Sequence, residues 1–508
     1  MSFLKNSNGG KKMKINFKKT LVKGAVALLC GAALVGCGRL AAGDSKESEN
    51  KNSGGDKDTV LMYQVGVAPE NLDELMEIAN KRIEDEVGVR LKIQYIGWGD
   101  YEKKMNVITS SGENYDIAFA QDYLNNAQKG AYADLTELAQ KYAPETMEQI
   151  DEAYITGNTI DGKLYAIPVN ANVYAQQMFT FNPTFLDKYD MDISKVETLE
   201  DLEPFLQTVK DNESGVVPLT AGSGWRIEKD LDYLIGNNVP LGIDLNGDPK
   251  KLINPYEEGD SLLPLLDTMH DYYTKGFVPA DAATSQTAYN TDEDTWFVRQ
   301  ETQGPYDYGD YLLQRITGKE ITSRPFSKAA KTVAQARMAN FVISNNSKKK
   351  EESMKVLNLL NSDPELLNGL VYGVEGRNWE KTDEEGRIRL LEGYSDPKSG
   401  YMSAWNLANN AILYIDEKVT DEQIEHRDKS IEEAEESPLL GFNFVTDNVK
   451  TEITNVNNVA AQYTAGLQTG SVDPKKVVPE YLEKLKEAGL DKIQEEAQKQ
   501  FDEFNANK

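Results

Sequence analysis

TVLMYQV at 59–65, LKIQYI at 91–96 and YDIAF at 115–119 are short runs rich in β-branched and aromatic residues, each about the length of one strand. The segments between them follow a different period. Asn71–Val87 sets Leu72, Leu75, Ile78 and Ile83 at near-helical spacing, and Tyr101–Ser110 reads as a second helix. Strands that alternate with helices in this order need a crossover at every step, so they pair in parallel and the fold class is α/β. In open sheets of this kind a ligand sits beyond the carboxyl ends of the strands. The loops there carry Trp98 and the run Gln121-Asp122-Tyr123.

Downstream, Gly162–Pro168 (GKLYAIP) is a turn leading into a strand that stops at proline, and Asn170–Phe181 continues as an extended stretch. Helices are expected over Thr198–Val209, Lys350–Leu360 and Pro479–Ala488, with a further strand at Phe341–Ser344. Leu490, Ile493, Ala497, Phe501 and Phe504 form the apolar stripe of a last helix. Asn246-Gly247 signals a two-residue hairpin. Asp244, Asn246 and Asp248 begin like a calcium loop, but Pro249 stands where glycine is required and no glutamate follows at the twelfth position. A chain of 508 residues exceeds what one core serves, so two domains are expected.

The amino terminus has a different character. Lys14, Lys18, Lys19 and Lys23 precede an apolar run, Ala25–Val35, which is too short to span a bilayer and reads as a secretory signal over residues 1–36. The run closes on Leu34-Val35-Gly36-Cys37, the pattern of a bacterial lipobox, so Cys37 is expected to be acylated and to become the mature terminus. Cys30 follows bulky Leu29 and fits poorly. No cysteine follows Cys37, so the exported chain holds no disulfide. Gly38–Asp58 is charged and lacks aromatic and β-branched residues, as a flexible tether would, with a mean reach of about 25 Å. The net charge of −28 repels nucleic acid and anionic headgroups.

Taken in order, these elements resemble the extracellular sugar-binding proteins of ABC importers, the group that includes the maltose/maltodextrin-binding proteins. YDIAFAQD at Tyr115–Asp122 resembles that family's third strand and polar loop, which puts Asp122 at a position that accepts sugar hydroxyls. DGKLYAIP at Asp161–Pro168 is similar to the strand entering the hinge. GPYDYGD at Gly304–Asp310 resembles the family's aromatic segment, with Tyr306 and Tyr308 as stacking rings and tyrosine in place of the usual tryptophan. Trp225 in GSGW matches an aromatic on the second domain's cleft wall, and Asn340–Gly376 is similar to the return crossing. The tail from Phe442 to Phe504 looks like the C-terminal domain of a lipoprotein branch.

The resemblance implies a two-domain fold like that of the periplasmic binding proteins, with hinge crossings and a ligand cleft between the domains. The first domain is then 59–168 plus 337–378, and the second is 169–336 plus 379–508 with the C-terminal helical region. It implies a monomeric, cofactor-free carrier on the outer face of the membrane, delivering a sugar or oligosaccharide to permease subunits served by a separate ATPase. Sugar rings offer C–H faces to aromatics and hydroxyls to carboxylates and amides, so the ligand set is Trp98, Asp122, Asn170, Trp225, Tyr306, Tyr308 and Glu375.

Each of these has an ordinary alternative. The tryptophans can be packing residues, Tyr306 and Tyr308 can share the core face of a strand, and Asp122 can cap a helix. Asn170 can satisfy hinge backbone, and Glu375 can pair with Arg377. Trp405, with Asn406 and Asn409, is a reserve candidate, while Trp296 and Trp379 read as packing. Only His270 and His426 exist, both read as solvated, and no phosphate loop or nucleophile elbow is present, which argues against enzymes built on a histidine triad or metal. A glycosidase working through two carboxylates and a peptide-binding carrier are the alternatives kept open.

Overall fold

The computed structural model describes residues 59–236, 238–396 and 400–507. The secretory signal, Cys37 and the tether lie outside the described residues. The chain enters as β1 (Thr59–Val65), α1 (Leu72–Val87), β2 (Arg90–Ile96), α2 (Trp98–Ser111), β3 (Ile117–Phe119) and α3 (Tyr123–Gln128). As the alternation requires, β1 pairs in parallel with β2 (Met62 opposite Ile93) and with β3 (Met62 opposite Ile117). α1 stops at Gly88, whose left-handed backbone (φ 81°) lets its N–H reach the Glu84 carbonyl and turn the chain into β2.

After β4 (Ile167–Pro168) the chain builds a second sheet from β5 (Gln176–Phe181), β6 (Val217–Leu219), β7 (Trp296–Gln303) and β8 (Thr322–Pro325), then returns with β9 (Asn340–Ile343). The first sheet is ordered β2-β1-β3-β9-β4 and the second β8-β5-β7-β6. β9 runs antiparallel to both β3 and β4, which strand-helix alternation does not announce. The Asp244–Gly247 turn forms, with the Gly247 N–H on the Asp244 carbonyl. The strand leading into it, Gly242–Asp244, pairs with Leu231–Tyr233 and makes only a bridge to Ile253, so the expected simple hairpin is replaced by a longer-range pair.

Two hydrophobic cores result. One gathers Val60, Met62, Ile93, Ile117 and Phe341 around the first sheet, and the other gathers Phe179, Phe181, Leu219 and Phe297 around the second. The chain passes between them at Tyr174–Phe179, Phe326–Ala329 and Ala434–Leu439. The domain limits drawn from sequence need correction here. Trp379, Ile388, Met402 and Leu407 belong to the first core, not the second, as do Val169 to Tyr174. Backbone bonds hold the segment there, Met402 N–H to Leu370 O at 3.0 Å and Asn410 N–H to Asn170 O at 2.8 Å.

The tail joins the second core from Leu439, with Leu440 still packed on the first. It ends in the helices α4 (Lys450–Gln468), α5 (Pro474–Ala488) and α6 (Leu490–Ala506), where Leu490, Ile493, Ala497 and Phe501 of the expected stripe are buried and Phe504 is half-buried. α5 begins at Pro474, ahead of its expected start at Pro479, because the Asp473 carboxylate caps the Lys475 N–H and Pro474 occupies the first turn. Gly470, at φ 72°, allows the α4–α5 turn to press on Met269, where a Cβ would stand 2.1 Å from the carbonyl oxygen. The Gly470 carbonyl lies 2.7 Å from His270 Nδ1, so this half-buried histidine, read from sequence as solvated, is also held by the α4–α5 turn.

Candidate ligand-binding site

The order of the first sheet fixes what stands along its carboxyl edge: Trp98 after β2, Gly66 after β1, Asp122 after β3, and the approach to β9 through Arg337. Trp98 begins α2 and remains 57% exposed. Trp405 (36% exposed) lies against it, with ring centroids 5.9 Å apart and planes inclined by only 11°. The Trp98 ring also meets Phe119 edge-on at 6.5 Å. The segment carrying Trp405 is tied down by Gln64, whose Nε2 donates to the Asn406 carbonyl at 2.9 Å. Two large rings held parallel at a sheet edge and left open to solvent make a stacking surface, since neither ring is used up by the core.

The other expected residues disperse. Asp122 sits in the left-handed region (φ 45°) before α3 without capping it, and its carboxylate accepts from Asn125 Nδ2 at 2.7 Å. Asn170 is buried and spends its amide on the protein, donating to Asn409 Oδ1 and to the Gln149 carbonyl. Glu375 is exposed, while Arg377 pairs with Glu74 through two bonds of 2.9 and 2.8 Å. Trp225 is only 7% exposed and belongs to the second core, not to an open wall. Tyr306 and Tyr308 do not share a strand face, because Pro305 turns the chain into a 3-10 helix that ends with Tyr308 at φ 53°. Arg427, on the helix Asp421–Glu433, lies over both rings at 5.6 and 5.4 Å and donates to the Tyr308 hydroxyl at 3.0 Å.

Residues 78–370 match the family described as bacterial extracellular solute-binding protein, and residues 438–506 match a domain of unknown function, DUF3502. A carbohydrate ABC transporter substrate-binding protein of Streptococcus pneumoniae serotype 4 (strain ATCC BAA-334 / TIGR4) is 51% identical over 97% of this chain and 99% of its own. The chain belongs to the bacterial extracellular solute-binding proteins. The crystal structure of the N-glycan transport solute binding protein NgtS from S. pneumoniae superposes with a TM-score of 0.85 at 53% identity, over 89% of this chain and all of that one. The structure of the same streptococcal protein in complex with Man5GlcNAc gives a TM-score of 0.76 at 53% identity, over 89% of this chain and 99% of that one.

In this solute-binding protein a cavity of about 270 Å³ has Asp122, from the carboxyl edge, in its lining. Its walls come from α3 (Asn125, Gln128), from Asp232–Ile235 on the second core, and from Arg337. Arg337 Nε donates to the Gly157 carbonyl at 2.8 Å and its Nη2 to Asn443, and the guanidinium lies over the Tyr123 ring at 5.4 Å, which leaves Nη1 without a hydrogen-bond partner among the described residues. Burial pulls this guanidinium down to about 10, so it stays charged at neutral pH. Nothing in the sequence near Arg337 marks it, since its partners lie more than a hundred residues away. Among the described residues no group of three or more His, Cys, Asp or Glu side chains could hold a metal.

Asp232, on the wall of this cavity, has its carboxyl raised to about 6 by burial, with the Ser437 hydroxyl bond opposing the shift. The folded state therefore holds this proton more tightly than the unfolded chain does. That contribution to stability is complete below pH ~4 and disappears as pH rises through ~6, with a size of about 3 kcal/mol at most. Asp232→Asn should flatten the melting temperature across this window and raise it at pH 7. An unchanged slope in thermal scans of the variant would assign the pH dependence elsewhere.

Proposed function

We propose that the protein captures a neutral oligosaccharide, of the glycan class named for the streptococcal relative's complex, and presents it to an ABC importer whose permease and ATPase are separate subunits. The observation that carries this reading is the exposed, stacked Trp98–Trp405 pair on the carboxyl edge of the first sheet. A hexose lays its C–H face on such rings, and the carboxylates and amides along the same edge take its hydroxyls. A lid or hinge motion adds to affinity when the second core contributes contacts that exist only in the closed form. The carrier performs no chemistry on what it holds. Titration calorimetry with Man5GlcNAc, a malto-oligosaccharide and an uncharged hexapeptide tests the reading: saturable binding of a glycan is expected, and binding of the peptide alone would favour the peptide-carrier alternative. Glycan recovered intact after long incubation is expected, whereas turnover abolished by one carboxylate substitution would make the protein a glycosidase.

The same reading places the chain on the outer membrane face through an acylated Cys37, with Gly38–Asp58 as tether. Cys37→Ser should shift the protein from the membrane fraction to the medium. Retention of the Cys37→Ser variant on cells, with its signal fully removed, would show that another element anchors it.

A further inference from the structure

We infer that the C-terminal domain of unknown function supplies one wall of a glycan subsite, the 270 Å³ cavity between the two cores, so that it takes part in choosing the ligand. The inference rests on the oligosaccharide reading above. Three observations carry it. First, Asp122 and Arg337, which line the cavity, stand on the same sheet edge as the tryptophan pair. Second, its far wall is Phe442–Asp447, the opening stretch of the C-terminal domain, held in place by Gln500 of α6 through bonds of 2.9 and 3.0 Å to the Val445 backbone. Third, the lining pairs opposite chemistries. Phe442 and Phe444 bring apolar side chains to the lining, while Arg337 and Asp122 bring a guanidinium and a carboxylate, a donor and an acceptor.

An apolar floor with a few convergent polar groups is the usual make-up of a small-molecule site. A sugar residue carrying a hydroxyl and an acceptor oxygen, such as an acetamido carbonyl, meets both. Asp122, Asp232 and Asp447 all border the cavity against the single guanidinium, so a carboxylated sugar is disfavoured there. The α4–α6 helices thus serve the site indirectly, by fixing the 442–447 stretch against the second core.

Filling the cavity tests this without removing any framework bond. Val445 and Gln128 are exposed residues on opposite walls, and neither Val445→Trp nor Gln128→Trp removes a core contact. Man5GlcNAc affinity by calorimetry should fall at least tenfold in both variants with melting temperature unchanged. Wild-type affinity in both, while Trp98→Ala/Trp405→Ala fails to bind, would overturn the subsite and leave the oligosaccharide reading standing. Wild-type affinity in all three would overturn both the subsite and the tryptophan stacking surface, and failure of the parent to bind any glycan would overturn the oligosaccharide reading itself.

Discussion

Trp98→Ala/Trp405→Ala is expected to bind its glycan roughly a hundredfold more weakly than the parent while melting within a few degrees of it. Stacking on a sugar face is worth about 1 kcal/mol or more per ring, and each 1.4 kcal/mol is a tenfold change in affinity. The folded state loses little, because both rings are substantially open to solvent and their removal leaves no closed cavity. The two rings touch, so the two single losses need not sum to the double one, and their departure from additivity measures how far the rings act as one surface. Each single variant should show a loss of about tenfold or more, and calorimetry beside thermal scanning on the same preparations separates loss of binding from loss of fold.

Trp225→Ala should behave in the opposite way. Its indole is packed in the second core, and its Nε1 has no hydrogen-bond partner among the described residues. Truncating a buried aromatic costs about 3–5 kcal/mol, or about 10 °C in melting temperature for a domain of this size. Glycan affinity measured well below that midpoint should stay within a few-fold of the parent. A stable variant that no longer binds would return Trp225 to the cleft wall that its sequence position implies.

The contrast between these two kinds of tryptophan shows what is legible in the sequence. The first sheet can be read because its strands and helices carry their own periods within a few residues, and that local pattern puts Trp98 at the sheet's carboxyl edge. It does not bring Trp405 there, since Trp405 reaches Trp98 across some three hundred residues by virtue of a segment that packs on the first core instead of the second. Tyr306 and Tyr308 read as strand residues from their spacing, because alternation by two does not reveal that Pro305 breaks the strand into a 3-10 turn. Arg427, which lies over both rings, and Arg337, which lines the cavity, carry no local signal at all. Asn170 lies where the hinge is expected, but its partners Asn409 and Gln149 come from distant segments, and they turn an expected ligand contact into a structural one.

The chain holds five tryptophans, of which Trp225, Trp296 and Trp379 are buried, so ligand-induced change in tryptophan fluorescence reports chiefly on the exposed pair. Titration of the purified protein with Man5GlcNAc is the most direct measurement of where the glycan sits. A saturable change is expected in the parent and in Trp225→Phe, and its loss is expected in Trp98→Phe/Trp405→Phe. A change that persists in the double variant and disappears in Trp225→Phe would contradict the placement of the site on the first sheet's carboxyl edge.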